Sequence, residues 1–166
     1  MPITINNVTI NNQLSIINDA GPNPNNNNDG PAQWSGNTEA DVIIDGQGYL
    51  NINANDQVPS NIHALQYYPS SDTGEIEYTN DDPNFQIETS ADIPSWANVM
   101  VTRWNGEKAY AETYESTYTT EYSAQVTAFE ANTNPMTEAA YTQAHNNAVN
   151  AATTAATTAK NNIIGA

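Results

Sequence analysis

The chain of 166 residues contains no cysteine and only three basic residues. The absence of cysteine excludes disulfide bonds, thiolate zinc sites and cysteine nucleophiles. The basic residues are Arg103, Lys108 and Lys160. Together with 19 acidic residues they give a formal net charge of −16. Residues 1–92 contain no Lys or Arg at all. Because binding to phosphate groups needs Lys or Arg side chains, we expect this chain to bind neither nucleic acid nor an anionic membrane.

Long apolar stretches are missing as well. No apolar run reaches the length of a membrane-spanning helix, and the opening residues, MPITINNVTINN, lack the basic start and apolar centre of a secretion signal. The chain has two Phe and few other large apolar residues. Such a chain either stays partly disordered or completes its core by assembly with copies of itself or with neighbours. Nine tyrosines and three tryptophans favour assembly.

The first half of the sequence shows the alternation of short β-strands. In ITINNVTINN one extra residue separates Ile3 and Ile5 from Val8 and Ile10, which predicts either a bulge or a tight Asn-Asn turn. The Asp-Gly pair within residues 41–55 is typical of a hairpin, with its turn expected at Gly46-Gln47-Gly48. Further strands are predicted at three places, residues 61–68, 75–79 and, as an edge strand, 84–89.

The spacing of apolar residues becomes helical from Pro94 onward. Asn105-Gly106 is expected to break or kink this first helix, whereas residues 107–133 contain neither Gly nor Pro. The sequence TNPM predicts a turn, and the Ala-rich residues 135–162 predict a second helix. We therefore predict an α+β fold in which a small antiparallel β domain, residues 1–90, precedes a long helical hairpin or oligomerisation region, residues 94–166.

Residues 109–122, AYAETYESTYTTEY, place a tyrosine at every fourth position. This spacing also fits one face of a strand, but the length of the segment and its Ala and Glu residues favour a helix. Each four-residue step overshoots a helical turn by about 40°, so the tyrosines form a winding stripe. Val126 and Phe129 extend it. The stripe either packs within the fold or forms a subunit contact, and both can hold along its length.

The second helix carries a stripe at spacings of three and four, made of Tyr141, Ala144, Ala148, Ala152, Ala155, Ala159 and Ile163. An alanine seam allows close approach of another helix but buries little area per turn. It is therefore expected to press against the first helix or against symmetry mates. The predicted interface residues are Tyr110, Tyr114, Tyr118, Tyr122, Val126, Phe129, Tyr141, Ala144, Ala148 and Ala155.

Signals for chemistry are weak throughout the sequence. His63 and His145 lack a second ligand at metal spacing, and acidic pairs such as Glu75 and Glu77 are expected by chance in so acidic a chain. The loop NNNNDG begins like a calcium site, but Gly36 stands where the closing Glu belongs. We predict no enzymatic activity, no cofactor and no metal.

Residues 61–109 contain NIHALQYYPSSDTGEIEYTNDD and NFQIETSADIPSWANVMVTRWNGEKA. This segment resembles a module of small virion proteins of tailed bacteriophages. The shared pattern is a strand with Ala, Gln and an aromatic residue, a strand carrying Gly-Glu and a second Glu, and an acidic-start helix with a tryptophan. Tyr67-Tyr68 stands where tryptophan is commoner, and the Ala-rich tail beyond Asn134 lies outside the module.

The resemblance implies a non-enzymatic structural subunit of a phage particle, in the tail, neck or fibre attachment. Its expected partners are copies of itself, as a homo-oligomer, and other virion proteins, and its expected location is the virion, assembled in the host cytoplasm. Two alternatives remain open. One is a decoration protein of the head. The other is a carbohydrate-binding module that uses Trp34, Tyr67 and Tyr68 to stack on a sugar.

Overall fold

A computed structural model describes residues 1–18, 39–54, 57–79, 82–132 and 137–165. The chain divides into two compact units, Met1–Trp104 and Asn105–Ala166. The elements, in chain order, are β1 (Ile3–Ile5), β2 (Val8–Ile10), β3 (Leu14–Asn18), β4 (Glu39–Ile44), β5 (Gln47–Asn53), β6 (Ile62–Tyr68), β7 (Thr73–Tyr78), β8 (Phe85–Ile87), a 3₁₀ turn (Ser90–Asp92), α1 (Ser95–Asn132) and α2 (Glu138–Ile164).

The strands of the first unit form two antiparallel sheets. β1 pairs with β2, and the other six strands form a sheet in the order β5-β4-β3-β6-β7-β8. Two long helices follow the sheets in the sequence, so the predicted α+β class, with its antiparallel β region ahead of the helices, is confirmed. The expected edge strand is β8, which pairs only with β7 among the described strands.

Two tight turns set the register of the hairpins. Asn6 and Asn7 have φ angles of 46° and 67°, so the left-handed Asn-Asn turn, and not a bulge, joins β1 to β2. Asp45 and Gly46 have φ angles of 51° and 84° and form the turn between β4 and β5. The turn is therefore made by Asp45 and Gly46 and begins one residue before the predicted Gly46-Gln47-Gly48, because Gln47 already pairs with Ile44.

The central strand β3 supplies the middle of the core. Leu14 lies opposite Ile44 on one side and Tyr67 on the other, and Ile16 lies opposite Val42 and Leu65. All six side chains are buried. Because side chains alternate along a strand, this register places one continuous apolar face on the inner side of the sheet.

The first turns of α1 belong to the same core. Ala97, Met100, Val101 and Trp104 are buried at the helical spacing of three and four, and the indole N–H of Trp104 donates to the carbonyl of Gln47 at 3.0 Å. The boundary between the compact units therefore falls after Trp104 and not at residue 94, where the change of sequence period suggested it. The start of α1 is helical, but it belongs to the first unit because its buried side chains share the core of the sheet.

The carboxylate of Asp45 fastens the β4–β5 turn to the segment between β2 and β3. It accepts hydrogen bonds from the backbone N–H groups of Asn11 at 2.9 Å, Asn12 at 2.7 Å and Gln13 at 3.1 Å. Burial alone raises the pKa of Asp45, but these donors outweigh it and hold the pKa below its ordinary value of 3.8.

We expect Asp45→Asn to lower the free energy of unfolding near neutral pH by about 1 kcal/mol. This is below the range of about 1.5–3 kcal/mol for hydrogen bonds to a charged group, because Asp45 is only partly buried. Urea unfolding measures this. The folded-state pKa is depressed, so the stabilisation is present above the unfolded pKa and is lost as the pH falls through the folded pKa. The variant and the native protein should therefore converge in acid. Glu77→Gln, at an exposed position, is the control, and a difference that persists at low pH would contradict this role.

Candidate assembly surface on the helical hairpin

The four tyrosines of the stripe lie on α1 with their rings stacked in a row. The centroid separations from Tyr110 to Tyr114, Tyr114 to Tyr118 and Tyr118 to Tyr122 are 6.2, 6.3 and 5.6 Å, with interplanar angles of 17°, 4° and 6°. Four residues advance a helix by about 6 Å, which matches these separations. The helical interpretation of this segment is therefore confirmed, and all four tyrosines are half-buried.

The polar side of α1 lies next to this stripe. Glu112, Glu115, Ser116, Thr119 and Thr120 are exposed. Val126 and Phe129, which were expected to extend the stripe, are half-buried. The helix therefore presents an aromatic side and a Glu- and Thr-rich side, as the spacing by four requires.

Alanines form the buried side of α2. Ala144, Ala148, Ala152 and Ala156 are fully buried, at a constant spacing of four. Ala155, expected in the seam, is half-buried. The prediction took a step of three from Ala152 to Ala155, whereas the buried side continues by four from Ala152 to Ala156. The tyrosines of α1 have the same spacing, so both stripes wind around their helices by about 40° per step. Tyr141, also expected in the seam, is 41% exposed.

Two polar contacts fix the pairing of α1 with α2. The Tyr118 hydroxyl and His145 Nδ1 are 2.9 Å apart, and their rings meet edge to face with centroids 5.7 Å apart. Lys160 forms an ion pair with Glu107. Neither contact was predicted from the sequence, where His145 was considered only as a metal ligand. Antiparallel pairing of the two predicted helices would have brought both pairs to matching heights. The turn predicted at TNPM lies outside the described residues.

Gly106 is buried where α1 comes closest to the end of α2. A Cβ atom built on Gly106 would lie 2.7 Å from Ile164 Cγ2 and 3.4 Å from Lys160 Cγ. Of the break or kink expected at Asn105-Gly106, the break is wrong, since α1 runs continuously from Ser95 to Asn132. The glycine is needed for close approach of the two helices, and a helix tolerates it at a cost of about 1 kcal/mol.

We expect Gly106→Leu to destabilise the hairpin by about 1–3 kcal/mol, because the larger side chain forces apart a closely packed contact. The helical circular-dichroism signal during thermal unfolding measures the change. Ala111→Leu is the matched control, since Ala111 is exposed on the same helix. Equal melting temperatures for the two variants would show that the space around Gly106 is not limiting.

The aromatic residues of the carbohydrate alternative are not assembled as expected. Tyr67 is fully buried and donates its hydroxyl to Asp72, so it is wrong as an exposed stacking residue. Burial, with Asp72 beside it, raises the pKa of Tyr67 to about 12. Tyr68 is 39% exposed and bonds to Gln66, and Trp34 lies outside the described residues. The alternation of β6 turns neighbouring tyrosines to opposite faces.

One remaining candidate from the sequence is the acidic pair Glu75 and Glu77. Glu75 accepts hydrogen bonds from Asn84 at 2.8 Å and Gln86 at 2.6 Å, so this carboxylate of the Glu75–Glu77 pair holds neighbouring side chains in the sheet. The calcium-like loop at residues 25–36 lies outside the described residues. Within the described ranges, no group of three or more His, Asp or Glu side chains is arranged to hold a metal ion. No helix in that part of the chain is long and apolar enough to cross a membrane.

Comparison of the chain with known protein families, with curated proteins and with solved structures finds no match.

Proposed function

We propose that this protein is a non-enzymatic structural subunit that assembles through its helical hairpin. The observation that carries the proposal is the composition of the hairpin contact. Among the described residues of the second unit, the fully buried ones are Gly106 and the four seam alanines. Larger side chains of this unit, among them the stacked tyrosines, Val126 and Phe129, stay half-buried. A further layer of protein would complete their burial.

The distribution of charge supports contacts between copies of the hairpin. Residues 105–166 contain six Glu and two Lys, whereas residues 1–104 contain thirteen acidic residues and one Arg. Both lysines of the hairpin form ion pairs, Lys108 with Glu112 and Lys160 with Glu107. Copies of the chain therefore repel each other least through this unit, because most of the excess negative charge lies in the other one.

The resemblance of residues 61–109 to small virion proteins supports a bacteriophage particle as the site of assembly. The proposed position is the tail, the neck or the fibre attachment, with other virion proteins as neighbours, and head decoration is the alternative. In this role the protein acts by presenting contact surface and needs no cofactor.

We expect Tyr114→Ala and Tyr118→Ala to weaken self-association by about 2 kcal/mol or more each, as for aromatic residues at the centre of an interface. Glu115→Ala should change it by about 0–1 kcal/mol, because Glu115 is exposed on the polar side of α1. Sedimentation equilibrium of the full chain over a concentration series measures the difference. Ser116→Trp, also on the exposed side, should be tolerated.

Two controls separate assembly from folding. Circular dichroism shows whether each tyrosine variant keeps its helices, and Tyr114→Phe keeps the stacked ring while removing the hydroxyl. A native chain that sediments as a compact monomer at micromolar concentration, with unchanged tyrosine variants, would contradict the proposal. So would loss of assembly in Ser116→Trp while both tyrosine truncations are silent.

A further inference from the structure

A groove in the first unit is lined by three aromatic side chains at the β8 edge of the six-stranded sheet. Tyr78, Phe85 and Trp96 line a volume of about 360 Å³, at the low end for ligand pockets in proteins. Phe85 lies in β8 opposite Ile76 and is 46% exposed. Tyr78 and Trp96 are half-buried. The sheet thus ends in an open aromatic surface and not in a closed core.

The walls of this groove are held by fixed backbone. Pro59 and Pro94 line it, and Asp92 closes the 3₁₀ turn by accepting hydrogen bonds from Thr89 N at 3.0 Å and Thr89 Oγ1 at 3.1 Å. The N–H of Ser90 donates to Asp72 at 2.8 Å. A groove built on prolines and a capped turn loses little conformational entropy when it binds a ligand.

The charged residue that lines the groove, Asp92, is acidic. The lining comes from residues 59–96, a segment with seven Asp or Glu and no Lys or Arg. The nearest basic residue in the sequence, Arg103, donates to the carbonyl of Asn53. An acidic ligand is repelled here, whereas a cation meets both a carboxylate and aromatic faces, which attract cations through their quadrupole.

We propose that this groove receives a basic side chain, Arg or Lys, from an extended segment of a partner protein. The guanidinium or ammonium group stacks on the aromatic side chains and pairs with Asp92, while the strongly acidic first unit steers the segment toward it. The groove lies entirely in the first unit, so this inference does not rest on assembly by the hairpin, and either can fail without the other.

The test uses the ¹⁵N-labelled full chain and a blocked pentapeptide with two arginines separated by glycines. The three tryptophan indole N–H signals are assigned with Trp34→Phe and Trp96→Phe, which leaves the Trp104 signal by elimination. The arginine peptide is expected to shift the Trp96 signal in a saturable way and to leave the buried Trp104 signal in place. The matched glutamate peptide is expected to leave all three signals unchanged, and added salt should weaken the arginine peptide's binding.

Variants decide whether the groove itself binds. Phe85→Ala and Asp92→Asn should each lower the affinity for the arginine peptide by about three- to tenfold. Glu39→Gln removes a carboxylate elsewhere in this unit, and Leu50→Ala removes an apolar side chain that is 67% exposed, so both should bind like the native chain. The unchanged Trp104 signal reports that a variant is folded, and if Phe85→Ala fails to fold, Asp92→Asn decides.

Three outcomes would overturn the proposal. The first is no shift of Trp96 with the arginine peptide. The second is equal weakening by the groove variants and by Glu39→Gln, which would mean that only net charge is sensed. The third is a shift of Trp96 by a neutral oligosaccharide and not by the arginine peptide, which would make the groove a sugar site.

Discussion

The contact between α1 and α2 is made by alanine, and this constraint governs the second unit. A buried methyl group contributes about 0.8 kcal/mol, against about 1.5–3 kcal/mol for a buried leucine or phenylalanine side chain. The alanines bring the helices so close that Gly106 faces Ile164 without room for a Cβ atom. The two helices therefore come close together but bury little apolar area, and the row of stacked tyrosines stays half-buried.

The first unit follows the opposite rule. Its core contains large, fully buried side chains such as Leu14, Ile16, Leu65 and Tyr67, together with Met100 from the start of α1. Such a core stabilises a fold on its own. Among the described residues, the chain thus joins a unit with a dense core, which also holds most of the negative charge, to a helical unit whose fully buried residues are small. That division is the physical basis on which we propose self-assembly for the hairpin and recognition of a basic partner for the sheet unit.

Local patterns in the sequence predicted the strands, the edge strand and the helical form of the tyrosine segment, because alternation and spacing by four are properties of neighbouring residues. Contacts between distant residues were harder to predict. Gly106 was interpreted as a helix breaker, since nothing near it in the sequence reveals that Ile164 packs against it. Tyr67 and Tyr68 are adjacent and alike in sequence, yet only the pairing of β6 with β3 and β7 decides which is buried. For the same reason the sequence predicted Ala155 in the alanine seam, where the structure buries Ala156.

Amide hydrogen exchange as a function of protein concentration tests the central claim most directly, because it reports separately on each unit of the intact chain. If the hairpin completes its burial by self-assembly, protection of residues 105–132 and 137–165 rises with concentration, while protection of β3, β4 and β6 stays constant. Strong protection of both helices that does not change with dilution would show that the hairpin is stable alone and would contradict the account.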